Sequence, residues 1–498
     1  MGYLSVVPSD DKVNAQQDPH HEHFVSTTVY GSTHAGNAIP RFELGDEEIP
    51  ARTAMRLVYD ELLMDGTPAL NLASFVTTYM EEEAEKLMMD NLSKNFIDLE
   101  EYPACGEIET RCVNIIARLF HAPLDNPNAE AVGVSTIGSS EAIILSVLAA
   151  KRRWQEARKA AGLPHDKPNI VMNSAVQVCW EKAARYLEVE ERYWYCTADK
   201  YIIDPEEAVK LCDENTILVC AILGTTYTGE YEDVKAINDL LEKRNKEKGW
   251  DIHIHVDAAS GGFVAPFVKP DLVWDFRLPL VCGINVSGHK YGLAYAGVGW
   301  AIWRSKQFLP DSILFTVNYL GSPQSAVQVI GQYYQLLRLG KAGYHAIMSN
   351  LTRTADFLAE SILAIGDGNK FVLMSQKSGD EFAIARRLRA RGWIVPAYTM
   401  APHAETLKLL RVVVREDFSR HRCEIFIRDL AEAVSFLDSM PKDVIHHMAK
   451  AQQVEHRKAA SKSTKWVTLF PSLLNYFSSW LWMKLEQRPQ LFTQAQTS

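Results

Sequence analysis

The sequence predicts an α/β fold, with a mainly parallel sheet covered on both faces and a smaller α+β domain after it. Three observations predict this. Between about residues 59 and 340, short uninterrupted apolar runs alternate with helical stretches, as strands buried on both faces require. A glycine-serine loop, Ser135-Thr136-Ile137-Gly138-Ser139-Ser140, runs straight into the apolar helix begun by Ile143-Ile144-Leu145. After Gly340 the periodicity becomes mixed.

Taken in order, residues 1–58 read as a polar leader that turns helical near Ala51–Val58, with apolar spacing suited to a partner subunit. In the large domain, 59–340, Asn169-Ile170-Val171-Met172 reads as a strand and Trp180–Leu187 as a helix. Thr216–Leu223 is a buried strand, Glu232–Lys248 a charged amphipathic helix and Ile252–Asp257 the next strand. The small domain, 341–450, offers a helix over Ala346–Ile365 and strands at Phe371–Met374 and Leu410–Val414. Residues 451–498 form a tail.

Composition narrows the function. At 498 residues the chain exceeds the roughly 250–300 residues at which one core stops growing. A net charge of −10 and a pI near 5.9 argue against a nucleic-acid surface, which needs clustered Lys and Arg. The eight cysteines show no metal-ligand spacing and read as reduced core thiols, so no metal is expected. His20-His21-Glu22-His23 reads as solvated leader. Asp10, Asp11 and Asp18 oppose a secretory or transit signal, which places the chain in the cytoplasm.

The chemistry centres on two residues. Asp257 ends a strand, and Lys290 follows 290 − 257 = 33 positions later in Asn285-Val286-Ser287-Gly288-His289-Lys290-Tyr291-Gly292. A pyridoxal phosphate enzyme needs a lysine amine to carry the cofactor aldehyde and an acid to keep the pyridine nitrogen protonated. The Ser139-Ser140 loop at a helix start supplies the third requirement, a phosphate cradle of N–H groups, hydroxyls and helix dipole.

With these residues in view, the chain from about 50 to 440 resembles the plant-type glutamate decarboxylases, pyridoxal-dependent enzymes of the group II decarboxylase family. Supporting segments are Leu72–Thr78, Asn95–Pro103, Gln177-Val178-Cys179-Trp180, Thr225-Thr226-Tyr227-Thr228-Gly229 and Ser287–Lys290. The resemblance implies the aspartate-aminotransferase type of fold (fold type I) with a seven-stranded sheet. It also implies active sites shared between subunits, in homodimers that assemble into a homohexamer.

Carried over by position, the resemblance makes Lys290 the Schiff-base lysine and Asp257 the pyridinium partner. Ser139, Ser140, Ser287 and His289 would surround the phosphate, Gln177 would lie over the ring and Thr226 near its phenolic oxygen. Arg411 would grip the substrate α-carboxylate, while Ser74 and Asp98, the latter from the neighbouring subunit, would receive the distal carboxyl group. Asp98 beside a carboxylate requires one shared proton, which predicts an acidic optimum that moves upward in Asp98→Asn. The activity implied is decarboxylation of L-glutamate to 4-aminobutanoate (GABA) and CO2.

Three departures keep alternatives open. A run that in relatives contains Asn-Phe-Ser is missing after Gly321, where Ser322 or Ser325 would have to replace a phosphate contact. Thr67 and Ala69 stand where relatives tend to carry Asn and Arg. In the tail, Arg457, Lys458, Lys462 and Lys465 precede an uncharged stretch, Trp466–Met483, interrupted by Pro471. That tail reads as packing on its own protein, as a degenerate calmodulin target or, with Thr468, Ser472, Asn475, Ser478 and Ser479 opposing insertion, as a membrane contact. The rivals to glutamate decarboxylation are a pyridoxal decarboxylase of another amino acid and an inactive regulatory subunit.

Overall fold

The computed structural model describes residues 39–46, 48–95, 100–313, 326–365 and 381–440. Residues up to Pro68 and residues from Ala69 onward are two compact units. The first contains helix α1 (Ala51–Leu62), which contains the predicted 51–58 stretch and exposes Met55, Val58, Tyr59 and Leu62. An Arg56–Asp60 ion pair of 2.9 Å, one turn apart, braces it.

The second unit is built on a seven-stranded sheet. Its strands are β1 (Val132–Thr136), β2 (Asn169–Asn173), β3 (Glu190–Trp194), β4 (Thr216–Ile222), β5 (His253–Asp257), β6 (Val281–Val286) and β7 (Gly299–Trp303), in the spatial order 1-7-6-5-4-2-3. Only β7 runs against its neighbours; the remaining pairs are parallel. The predicted, mainly parallel sheet is therefore present.

Alternation along the strands makes two cores. Val219 and Ala221 of β4 face a core shared with Ile254, Val256, Ile284 and Val286. Helices α3 (Pro103–Leu119), α6 (Pro205–Lys210), α7 (Val234–Lys248), α8 (Ala265–Val268) and α9 (Val327–Ile365) close it with Ile116, Val209, Ile237, Phe267 and Val329, while α2 (Glu82–Asp90) packs on α9. Leu218, Cys220 and Ile222 point the other way, toward α4 (Ser139–Ala160) and α5 (Val178–Tyr186). His253, His255 and Asp257 lie in register with those three, so they share that second face.

Several predicted boundaries shift for physical reasons. The helix expected from Glu232 begins at Val234, because Asp233 caps it by accepting from Ala236 N at 2.9 Å. It ends on Gly249, whose φ of 68° is the left-handed conformation that favours glycine. Glu232 instead turns inward and is buried. It accepts from Asn173 Nδ2 (2.8 Å), Ile203 N (3.0 Å) and Ile222 N (2.8 Å), tying together the ends of β2 and β4.

Glu232→Ala is expected to leave the Ile203 and Ile222 N–H groups and one N–H of Asn173, whose other N–H donates to Tyr201 O, without an acceptor, at about 1–3 kcal/mol for each that water does not reach. The thermal midpoint of the cofactor-free protein reads this. Equal midpoints for variant and parent would mean that the carboxylate is dispensable.

Beyond Gly340 (φ 53°, ψ −170°), where α9 breaks, its remainder contains the predicted helix over 346–365. A two-stranded sheet, β8 (Ala397–Thr399) against β9 (Lys408–Leu410), packs on α10 (Glu381–Arg389), which in turn packs on α11 (Arg420–Asp438). The strand expected over 410–414 stops at Leu410, since Val413 N donates to Leu72 O at 2.9 Å and not to the hairpin. The strand expected at 371–374 lies outside the described residues. All eight cysteines are buried free thiols, as expected.

Candidate active site

The carboxyl ends of β1, β2, β4, β5 and β6 open on one cavity of about 360 Å³, where a parallel sheet places its ligands. Ser139, Ser140, Gln177, Thr226, Asp257, Ser287, His289 and Lys290 all line it. These are the eight residues predicted to hold the cofactor. Phe75, Glu141, Cys179 and Ser260 line it as well.

At one end, α4 starts on Ser139, with its free N–H groups and positive dipole end at the cavity. Glu141 folds back to accept from Ile137 N at 2.8 Å, which sets the loop. The Ser139 and Ser287 hydroxyls meet at 2.5 Å, joining the first loop to the lysine loop. Gly138 is required here, because a Cβ on it would come within 2.9 Å of the His289 ring. Among the described residues, the Nδ1 of His289 is buried with no hydrogen-bond partner.

Burial, with the Lys290 charge beside it, lowers the His289 pKa to about 4. The folded ring therefore stays neutral until near pH 4, whereas an unfolded ring takes its proton near 6.5. Stability from this group is complete above pH 6.5 and is lost as pH falls toward 4. In cofactor-free protein, His289→Asn is expected to flatten the acid limb of the thermal midpoint by about one proton. An unchanged slope would exclude His289 as its source.

At the opposite side, Asp257 is buried and its carboxylate accepts three hydrogen bonds. Trp180 Nε1 donates to Oδ2 (2.8 Å), and Asn285 Nδ2 (2.8 Å) and Ala259 N (3.2 Å) donate to Oδ1. The three donors converge from an indole, an amide and a backbone N–H, and they fix the direction of both carboxylate oxygens. Desolvation lowers the Lys290 pKa, an effect that Asp257 partly opposes and Arg411 reinforces. A larger fraction of its amine is then neutral and nucleophilic.

Of the remaining predicted residues, Arg411 and Ser74 lie beside this cavity, not in its wall. Arg411 donates through Nη1 to Thr226 O (2.9 Å) and through Nη2 to Ala73 O (2.8 Å). Each Nη keeps a second N–H, and Nε is buried without a hydrogen-bond partner among the described residues. The Phe75 ring lies 5.0 Å from Lys290 Nζ and 4.8 Å from Arg411 Cζ. Ser74 Oγ accepts from Val76 N at 3.1 Å, and Gln177 Oε1 caps α5 by accepting from Cys179 N at 2.6 Å. Asp98, Ser322, Ser325, the His20 cluster and the tail lie outside the described residues.

Sequence reasoning missed the supports of the site. Thr77 donates from its backbone N to His289 O and from Oγ1 to Lys290 O, both at 2.9 Å. Buried Arg415 donates to Asn71 O (2.6 Å) and Ser74 O (2.8 Å), and Glu416 accepts from Thr78 N (2.9 Å). Residues 71–78 are thus clamped between the lysine loop and the 411–416 segment. The signal available for Asn285 and Trp180 was their place beside Lys290 and Gln177 in segments already singled out.

The donor set fits pyridoxal 5'-phosphate. The buried His289 nitrogen, two serine hydroxyls and a helix start suit an anionic group, and a carboxylate held by N–H donors suits a protonated ring nitrogen.

Comparison with known proteins agrees. Residues 52–379 match the pyridoxal-dependent decarboxylase conserved domain. A glutamate decarboxylase of Petunia hybrida is 52% identical over 446 residues, covering 86% of this chain and 89% of the relative. Glutamate decarboxylase 1 of Arabidopsis thaliana is 51% identical with the same two coverages. The solved structure of a Lactobacillus brevis glutamate decarboxylase superposes with a TM-score of 0.78 at 40% identity, covering 83% of this chain and 99% of that one.

Proposed function

The chain belongs to the pyridoxal-dependent decarboxylase family, and from that premise we propose that it converts L-glutamate to 4-aminobutanoate and CO2. The observation that carries this reading is the gathering of Lys290, Asp257 and the Ser139-Ser140 helix start in one cavity, with Arg411 at its side.

Ser139, Ser140, Ser287 and His289 would hold the cofactor phosphate, Asp257 its ring nitrogen and Lys290 its aldehyde. Gln177 would cover the ring and Thr226 would stand near its phenolic oxygen. When bound, pyridoxal 5'-phosphate supplies an aldehyde that captures the substrate amine and a ring that accepts the electron pair left by CO2. Arg411 would select the outcome by gripping the substrate α-carboxylate and holding it in the orientation from which it leaves. Asp257 would face the ring nitrogen and make a positive charge there favourable. A proton delivered to the α-carbon completes 4-aminobutanoate. Ser74, with Asp98 of a second subunit, would accept the distal carboxyl group.

We further read the chain as a cytoplasmic homodimer that builds a homohexamer, with residues 341–450 as its small domain. No described helix is long and apolar enough to cross a membrane. Calcium-dependent pull-down with calmodulin, with and without residues 451–498, separates the readings of the tail.

Purified protein incubated with glutamate, and separately with aromatic and other acidic amino acids, tests the activity by the absorbance of bound cofactor and by product analysis. Cofactor together with 4-aminobutanoate supports the reading. Cofactor without that product points to another substrate, and no cofactor points to a regulatory subunit.

A further inference from the structure

Asp257 does not stand alone on β5. It pairs across the sheet with Asn285 of β6, and His255, two residues earlier on the same face, pairs with Gly283. Diagonally, His255 Nε2 lies 2.8 Å from Asn285 Oδ1, while Asn285 Nδ2 lies 2.8 Å from Asp257 Oδ1. The Trp180 indole donates to the other Asp257 oxygen at 2.8 Å and packs edge-on against the His255 ring, with centroids 5.5 Å apart at 64°. The four side chains close a ring, and all of them are buried.

Donor and acceptor types leave this ring one consistent assignment. An amide oxygen only accepts, so the hydrogen between His255 and Asn285 sits on His255 Nε2. That N–H selects one of the two orientations of the Asn285 amide, the one that turns its NH2 toward Asp257. With the amide reversed, its oxygen would face a carboxylate oxygen, two acceptors in contact. Burial holds His255 in its neutral form, since it lowers the pKa of the ring. Its Nδ1 faces Gly283, where a Cβ would come within 2.7 Å, and a space of about 10 Å³ lined by His253, His255, Cys282 and Gly283. His255 does not line the cavity that Asp257 lines, and its link to Asp257 runs through Asn285.

We propose that His255, acting through Asn285, is a positioning residue that fixes the orientation of Asp257 toward the cofactor's ring nitrogen, with Trp180 holding the second carboxylate oxygen. The proposal rests on the cofactor reading above and concerns the ring nitrogen alone, independent of which amino acid is decarboxylated. Asp257 is preorganised by the protein's own groups: its oxygens are directed by three donors, and one of these is itself directed by His255.

The test measures binding to the full-length chain stripped of cofactor. Two probes are used: pyridoxal 5'-phosphate, and its carbocyclic analogue in which C–H replaces the ring nitrogen. His255→Leu is expected to weaken pyridoxal phosphate binding by about ten- to a hundredfold, the scale of a hydrogen bond to a charged group, and to leave analogue binding within about twofold. His255→Gln, whose amide N–H can stand where Nε2–H stood, is expected to restore pyridoxal phosphate binding to within about threefold.

Equal loss for both probes would reveal a merely structural role and overturn the proposal. So would unchanged affinity in His255→Leu. Where that variant fails to fold, Trp180→Phe, which removes the indole N–H together with part of the ring, is held to the same contrast between the probes. Failure of the parent chain to bind pyridoxal phosphate would instead overturn the functional reading itself.

Discussion

Lys290→Ala is expected to lower kcat on glutamate by about a thousandfold or more, because it removes the nucleophile, the largest single loss the cavity can suffer. The fold should tolerate the change. The contacts that hold the lysine loop are made by backbone atoms, Thr77 on Lys290 O and on His289 O, and these survive truncation at Cβ. Borohydride reduction followed by mass measurement separates chemistry from collapse. The parent chain should gain the mass of one pyridoxyl phosphate at Lys290, while the variant stays unlabelled and keeps the parent's circular dichroism. A variant with near-normal kcat would remove Lys290 from the mechanism.

Asp257→Asn is expected to have the second largest effect, about a hundredfold or more in kcat/KM, and to destabilise the cofactor-free protein as well. The asparagine amide offers one oxygen where the carboxylate offers two. Its NH2 must then face either the Trp180 indole N–H or the Asn285 NH2 and Ala259 N–H, all of them donors. One buried donor-donor contact costs about 1–3 kcal/mol. Steady-state kinetics reads the first effect, and the thermal midpoint of cofactor-free protein reads the second. A midpoint equal to the parent's would mean that the three donors do not converge on Asp257 as described.

How far the sequence alone reached depended on the kind of interaction. The apolar run over Thr216–Leu223 and the Gly-Ser-Ser helix start are local patterns, and both appear where their periodicity and capping chemistry put them. Lys290, Asp257 and the residues about them could be placed because strand ends of a parallel sheet converge, whatever the details. Lateral pairing was not legible. Nothing in His253-Ile254-His255-Val256-Asp257 says that β6 lies beside it with Asn285 opposite Asp257. Glu232 was misread as the first residue of a helix, since a charged residue before an amphipathic stretch resembles an exposed first turn. Arg411 was expected to face substrate alone, and it also holds the carbonyls of Thr226 and Ala73. That binding needs two segments far apart in the chain to meet.

The clamp on residues 71–78 also carries information about time. Its hydrogen bonds from Arg415 span 344 and 341 positions, and the one accepted by Glu416 spans 338. A ribosome delivers the chain from its first residue, at roughly 5–20 residues per second. Residues 71–78 therefore wait, at those rates, for tens of seconds before their anchors exist. The strands that carry Asp257 and the loop that carries Lys290 emerge during that interval with one wall of their cavity still open. The catalytic chamber of a newborn chain is secured last, by its most distant parts, and a chain cut short before Arg411 would carry every cofactor residue without the anchors that hold residues 71–78 beside them.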